Sequence, residues 1–211
     1  MKNKIIELIK RNRISTTEVA DCLGKKGLFK NAFPLNKSHF KVGVIHYTFI
    51  DSQSNWNMHK DIQNVSENSI VLVDDLGTHG RASFGELVSK YLLLYRQSAG
   101  IITNTKVRDA HSLVKENYPI WCRGTNPIGC FNTKPLKQID SKVIRKRRDK
   151  FDGAVAVCDD SGVIIIKKKF LNETFFNKLV EMENLEDKWF DCMDRLKMNT
   201  FDIVCKKKYK E

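Results

Sequence analysis

Apolar and polar positions alternate along the chain with two different periods, and each change of period marks a strand giving way to a helix. Ser69-Ile70-Val71-Leu72-Val73 is an almost unbroken apolar run, the pattern of a strand buried on both faces, and it ends in Asp74-Asp75. Residues 42–49 are rich in β-branched and aromatic side chains and predict a second strand. Residues 99–103 and 120–122 predict two more, the latter entered through Pro119. Residues 154–157 and 163–166 predict a hairpin closed by Asp159-Asp160-Ser161-Gly162. Leu87, Tyr91, Leu94 and Tyr95 fall at helical spacing and predict a helix over 82–96. Further helices are predicted over 56–64, 109–117 and, at greatest length, 172–196. Ser15-Thr16-Thr17-Glu18 is a capping box that opens a short helix ending at Gly24.

Helices alternate with strands through the first two-thirds, then a hairpin and a long helix complete the chain. The pattern predicts a mixed α/β fold, divided into a domain over 1–170 and a C-terminal helical extension over 171–211. Residues 1–13 predict a short amphipathic helix. Glu7 and Lys10 interrupt its apolar stretch, which excludes a signal peptide. No apolar run approaches the ~20 residues that span a bilayer, so the expected location is the cytoplasm, with no membrane partner. The cysteines (Cys22, Cys122, Cys130, Cys158, Cys192 and Cys205) form no CxxC pair, which argues against a zinc knuckle or a dithiol redox motif. The net charge of +12 is concentrated at Lys142-Val143-Ile144-Arg145-Lys146-Arg147-Arg148, Lys167-Lys168-Lys169 and Lys206-Lys207-Lys208. A nucleic-acid surface would interleave such runs with aromatic residues. These lack them, so the runs read as solvated faces.

Candidate chemistry is confined to a few places. Arg108-Asp109 comes after a strand and opens a helix, where α/β folds place ligands. There an arginine can neutralise a developing enolate, and one aspartate is enough for a magnesium ion that keeps its waters. Taken alone, an Arg-Asp pair at a helix start is usually a cap and a surface ion pair. The stretch from Gly77-Thr78-His79-Gly80 to Gly85-Glu86-Leu87-Val88 supplies glycines ahead of a helix, where backbone amides can face a carboxylate. It matches neither a Walker A loop nor a GxGxxG fingerprint. His59 in the preceding helix reads, taken alone, as a structural histidine more often than a catalyst, and His79 in this loop is a slightly better candidate. A HExxH pair and a GxSxG elbow are both absent from the sequence, which sets aside a zinc hydrolase and a serine hydrolase of those types.

Gly85-Glu86-Leu87-Val88, Ala99-Gly100, Asn104-Thr105-Lys106-Val107-Arg108-Asp109 and Tyr118-Pro119-Ile120-Trp121-Cys122-Arg123-Gly124-Thr125-Asn126-Pro127, in that order, resemble the regulator of ribonuclease activity A family, which includes the class II 4-hydroxy-4-methyl-2-oxoglutarate aldolases. The resemblance covers residues 14–170. It implies a layered ββα sandwich of the swivelling-domain type, assembled as a homotrimer or homohexamer. It also implies a lyase that cleaves or decarboxylates a small 2-oxo acid, such as oxaloacetate, through a pyruvate enolate. By that likeness Gly85, Glu86, Leu87 and Val88 hold the substrate carboxylate through their amides, Arg108 binds the 2-oxo oxygen, and Asp109 holds Mg²⁺ or another divalent cation such as Mn²⁺. Glu183 or Glu186 of a neighbouring subunit would contribute. The chain departs from the family pattern at Thr78, Thr105 and Lys106; beside Arg108, Lys106 could add a charge for a more anionic substrate. Two other readings remain open at this point: a non-catalytic regulator that contacts a ribonuclease or RNA, and a repurposed enzyme acting on a sugar-derived acid.

Overall fold

The computed structural model describes residues 1–136 and 139–210. Among these the chain runs α1 (Lys2–Asn12), α2 (Thr16–Cys22), β1 (Phe33–Pro34), β2 (Lys41–Ile50), α3 (Trp56–Asp61), β3 (Ile70–Asp75), β4 (Ala82–Phe84), α4 (Glu86–Lys90), β5 (Gly100–Thr103), β6 (Lys106–Val107), α5 (Ala110–Lys115), β7 (Ile120–Cys122), β8 (Gly124–Thr125), α6 (Ser141–Phe151), β9 (Val155–Asp159), β10 (Gly162–Ile166) and α7 (Glu173–Asp194). It is a layered, mixed α/β fold. One sheet has the order β1-β7-β5-β3-β2-β9-β10, and β4, β6 and β8 make a second, small sheet. Strands β2, β3, β5 and β7 are parallel neighbours, while β1, β9 and β10 join antiparallel.

The unbroken apolar run forms the central strand, as a parallel strand covered on both faces should. Ile70, Val71, Leu72 and Val73 of β3 are all fully buried. Alternate side chains serve opposite cores. Ile70 and Leu72 pack with Tyr47, Phe49 and Trp121. Val71 and Val73 pack with Met58, Leu92 and Leu113 on the other side. Each such burial stabilises by about 1.5–3 kcal/mol, so the parallel strands form a rigid base for the loops and short strands at their carboxyl ends. A third core lies over β9 and β10, where Ile5 and Ile9 of α1, Val19 of α2, and Phe175 and Leu179 of α7 converge. Among the described residues no helix is long and apolar enough to cross a membrane.

Two expectations are corrected. The helix predicted over 82–96 begins at Glu86, because Ala82–Phe84 is strand β4, paired with β6. Beyond Lys90 it widens into a π turn over Tyr91–Tyr95. The basic run at 142–148 is not simply a solvated face. It is most of α6, whose N-terminus is capped by Asp140 (its carboxylate accepts from Lys142 N–H at 2.8 Å). Arg147 forks onto the fully buried Asp74, with Nε to Oδ2 at 2.7 Å and Nη2 to Oδ1 at 2.6 Å, and Tyr47 Oη donates to the same carboxylate at 3.1 Å. Arg148 reaches Asp61 at 2.9 Å. A buried carboxylate demands a partner, and the arginines that supply it dock α6 on the sheet. Lys142, Arg145 and Lys146 stay exposed. In the last run, Lys206 and Lys208 both pair with Asp202, at 3.2 and 3.3 Å.

Candidate active site

The small sheet explains how two motifs distant in sequence meet. Strands β3, β5 and β7 of the large sheet lead onward into β4, β6 and β8 respectively, so the small sheet sits beyond their carboxyl ends. Phe84 and Val107 are register partners in β4 and β6. The next residues along each strand, Gly85 and Arg108, therefore emerge side by side, and Arg108 N–H donates to Phe84 O at 2.9 Å.

Asp109 occupies the N-cap position of α5 but does not cap it. Its backbone is left-handed (φ 56°, ψ 37°), a conformation that costs a non-glycine residue roughly 1–2 kcal/mol. Such strain gathers at functional sites. Here it turns the carboxylate onto the other helix, where Oδ2 accepts from Glu86 N–H at 3.0 Å. Arg108 Nε stands 3.8 Å from the same oxygen, and the two side chains are 49% and 42% exposed, enough to meet a ligand from solvent. Gly85 is required by space: a Cβ there would overlap the Asp109 carboxylate and lie 2.7 Å from Arg108 Cγ. At Gly129 a Cβ would lie 2.9 Å from Arg108 Nη1, the movable end of that side chain, so the demand there is weaker.

These groups border a cavity of about 120 Å³, whose polar lining includes Asn55, His59, Ser83, Arg108, Asp109 and Cys130. That is the volume of about four waters. The Asn55 side chain donates from Nδ2 to Ser83 O at 3.4 Å, but its Oδ1 is buried without a partner. An orphaned acceptor of this kind costs about 1–3 kcal/mol unless a ligand or water donates to it. Partial desolvation lowers the pKa of His59, leaving a neutral imidazole at the rim. Burial, opposed by Arg81 and helped by Asp75, pushes the Cys130 thiol up to about 11, so it is no nucleophile near neutral pH.

The structure thus brings together Gly85, Arg108 and Asp109. Leu87 and Val88 also line the cavity, Val88 buried and Leu87 81% exposed. The Glu86 amide is already taken by Asp109. That leaves the amides of Leu87 and Val88, in the first turn, without an intrahelical partner. His59 lines the cavity and His79 does not. Thr78 and Thr105 are buried supports: Thr78 Oγ1 donates to Asp75 at 2.9 Å, and Thr105 shares hydrogen bonds with Ser83 and Thr103 at 2.5 and 2.7 Å. Lys106 lies in β6, half-buried. Glu183 accepts from Asn12 at 3.1 Å, and Glu186 has its pKa raised by burial and by Glu18 and Asp21, so within one chain both lie beside α1 and α2. Asn55 is the residue that sequence patterns miss.

Among the described residues no three His, Cys, Asp or Glu side chains are disposed for a metal. A tetrahedral zinc site is therefore a poor fit. A magnesium-like ion that keeps most of its waters fits better, because it needs only one or two carboxylates, and Asp109 is half-exposed with Oδ1 free of protein hydrogen bonds among the described residues.

The model of the RraA-like family (Aldolase/RraA) matches residues 16–165, a span that contains every residue of this cavity. The chain belongs to the RraA-like family. Over 199 residues it is 24% identical to Protein DlpA of Legionella pneumophila, covering 89% of this chain but only 31% of that much longer protein. It is 30% identical over 159 residues to a Halalkalibacterium halodurans protein that carries the provisional name 4-hydroxy-4-methyl-2-oxoglutarate aldolase, covering 74% of this chain and 73% of that one. Among solved structures, Streptomyces coelicolor RraAS2, described as an unusual member of the RNase ES inhibitor RraA protein family, superposes with a TM-score of 0.66 at 16% identity, covering 92% of this chain and 98% of that one. At that identity the likeness establishes the fold. The family holds both aldolases and ribonuclease regulators.

Proposed function

We propose that this RraA-like chain is a divalent-metal-assisted lyase that cleaves or decarboxylates a small 2-oxo acid through a pyruvate enolate. The observation that carries the reading is the cavity that Arg108 and Asp109 line together with Asn55 and His59. A structural cap and surface ion pair would need no cavity, no strained Asp109 and no unpaired buried acceptor. The amides of Leu87 and Val88 receive the substrate carboxylate at the start of α4. Arg108 faces the 2-oxo oxygen. As the C3–C4 bond breaks, its electron pair moves into the C2–C3 enolate, and C4 leaves as carbon dioxide or as the carbonyl carbon of a second oxo acid. The guanidinium stabilises the oxygen that gains the charge until C3 takes a proton from water to give pyruvate. Asp109 would hold the cation, which when bound acts as a Lewis acid on the 2-oxo group. The reading includes a homotrimer or homohexamer, in which exposed Leu87 meets a second copy and Glu183 or Glu186 of that copy completes the site.

The test is lactate-dehydrogenase-coupled pyruvate release from oxaloacetate and from 4-hydroxy-4-methyl-2-oxoglutarate, with magnesium and with chelator. Magnesium-dependent release that disappears in Asp109→Ala supports the proposal. Failure to release pyruvate from either substrate, or release indifferent to Asp109, would move the chain to the regulators of its family.

A further inference from the structure

A second cavity shares no lining residue with the first and is three times its size, about 370 Å³ against 120 Å³. It lies beyond the carboxyl ends of β3 and β5, where open α/β sheets receive ligands. Asn104, just after β5, lines it and is held there by accepting from Asp75 N–H at 2.8 Å. Its other walls come from the segment between α2 and β1, from α6, and from the end of β10.

Its charge is one-sided. Lys30, Lys150, Lys167 and Arg147 all line the cavity, and no aspartate or glutamate does. Arg147 is committed to Asp74. The three lysines form no ion pair among the described residues. The floor is apolar and aromatic. Phe151 is buried, its ring meets Phe29 edge-on at 5.8 Å, and Lys150 Nζ and Arg147 Cζ stand 4.7 and 5.0 Å from its centroid. Lys150 also has its pKa lowered, first by partial burial and then by Arg147 and Lys167, against a smaller opposing pull from Asp74.

We infer that this cavity binds a small organic phosphate with a flat apolar portion, of the mononucleotide class. Three lysines that line one concavity and form no ion pair among the described residues suit a group that carries about −1.5 to −2 charge and three acceptor oxygens. They exceed what a single carboxylate needs. The Phe29, Phe151 and Ile165 floor gives the organic part a surface to cover, and the volume lies in the ordinary range for small-ligand pockets. A track for single-stranded nucleic acid would need successive aromatic platforms along a groove, whereas Phe29 and Phe151 are the two aromatic side chains of one concavity.

The experiment is calorimetric titration of the whole protein with adenosine monophosphate, inorganic phosphate, adenosine and a single-stranded RNA oligonucleotide. It is repeated on Lys150→Gln/Lys167→Gln and on Lys30→Gln. Saturable binding of the monophosphate is expected, tighter than either phosphate or adenosine alone, and weakened about tenfold or more in the double variant. Because all three lysines are exposed, melting temperature and pyruvate release should not change, which separates this site from the lyase reading. Absence of saturable monophosphate binding, equal affinity for inorganic phosphate, or indifference to the lysine substitutions overturns the assignment. So does RNA binding tighter than the monophosphate and lost in the same variants.

Discussion

Gly85→Ala adds one methyl group at the point where the two site motifs touch. The new Cβ cannot coexist with the Asp109 carboxylate, and it presses on Arg108 Cγ from 2.7 Å. Backbone conformation is not the obstacle, since Gly85 sits at φ −146°, open to any residue. Asp109 must swing away and give up its hydrogen bond from Glu86 N–H at 3.0 Å. A hydrogen bond to a charged group contributes about 1.5–3 kcal/mol. The carboxylate is 42% exposed, so solvent screening reduces the loss to about 1–2 kcal/mol. For a chain of this size that lowers the melting temperature by roughly 2–8 °C. The effect on turnover is larger, because displacing a reacting group by about 1 Å costs on the order of 10²-fold. The assay is magnesium-dependent pyruvate release, with a thermal melt on the same sample. A folded variant with kcat/KM down about a hundredfold is the expected result. Activity within about twofold of wild type would show that the position of Asp109 is immaterial to turnover, and the proposed division of labour would fail with it.

Further expectations concern other groups. Decarboxylation begins without proton removal, whereas the retro-aldol reaction must take a proton from the hydroxyl at C4. His59→Gln should therefore slow aldol cleavage at least about tenfold more than oxaloacetate decarboxylation, and an equal effect on both would exclude His59 as the base. Arg147→Ala strands Asp74, which is fully buried. Urea denaturation should show a loss of about 2–4 kcal/mol, less than a fully buried pair because Arg147 is 30% exposed; a change below about 0.5 kcal/mol contradicts the docking role of α6. The pKa of Glu186 is raised by burial, Glu18, Asp21 and Asp187. The folded state then holds a proton that the unfolded state releases, so stability falls as pH rises from the ordinary carboxylate range through the raised value. Glu186→Gln should raise the melting temperature at neutral pH and make no difference in acid below that range. The same difference at both pH values would mean that ionisation is not the cause.

Much of the sheet is legible in the sequence because its signals are local. Ile70-Val71-Leu72-Val73 announces a doubly buried strand, and Asp159-Asp160-Ser161-Gly162 a hairpin, from a few residues each; β9 and β10 pair as that turn dictates. The small sheet is not legible. β6 and β8 are two residues long, too short for a period, and are held only by pairing with segments distant in sequence. The same shortness hides β4 inside a helical pattern and moves the predicted start of α4 to Ala82. Helix α6 is obscured by charge: Arg147 and Arg148 look like solvated cations until Asp74 and Asp61 are placed opposite them. For the site, the motif residues Gly85, Arg108 and Asp109 can be named from sequence, but their meeting depends on the Phe84–Val107 register. Asn55 carries no motif at all. It matters because its Oδ1 lost access to solvent without gaining a donor, a property that exists only once β4 has closed over α3. On the proposed reading, the chemistry therefore rests on the least conspicuous element of the fold. A few residues of strand beyond the carboxyl ends of β3 and β5 decide whether an arginine and an aspartate form a surface ion pair or one wall of a cavity.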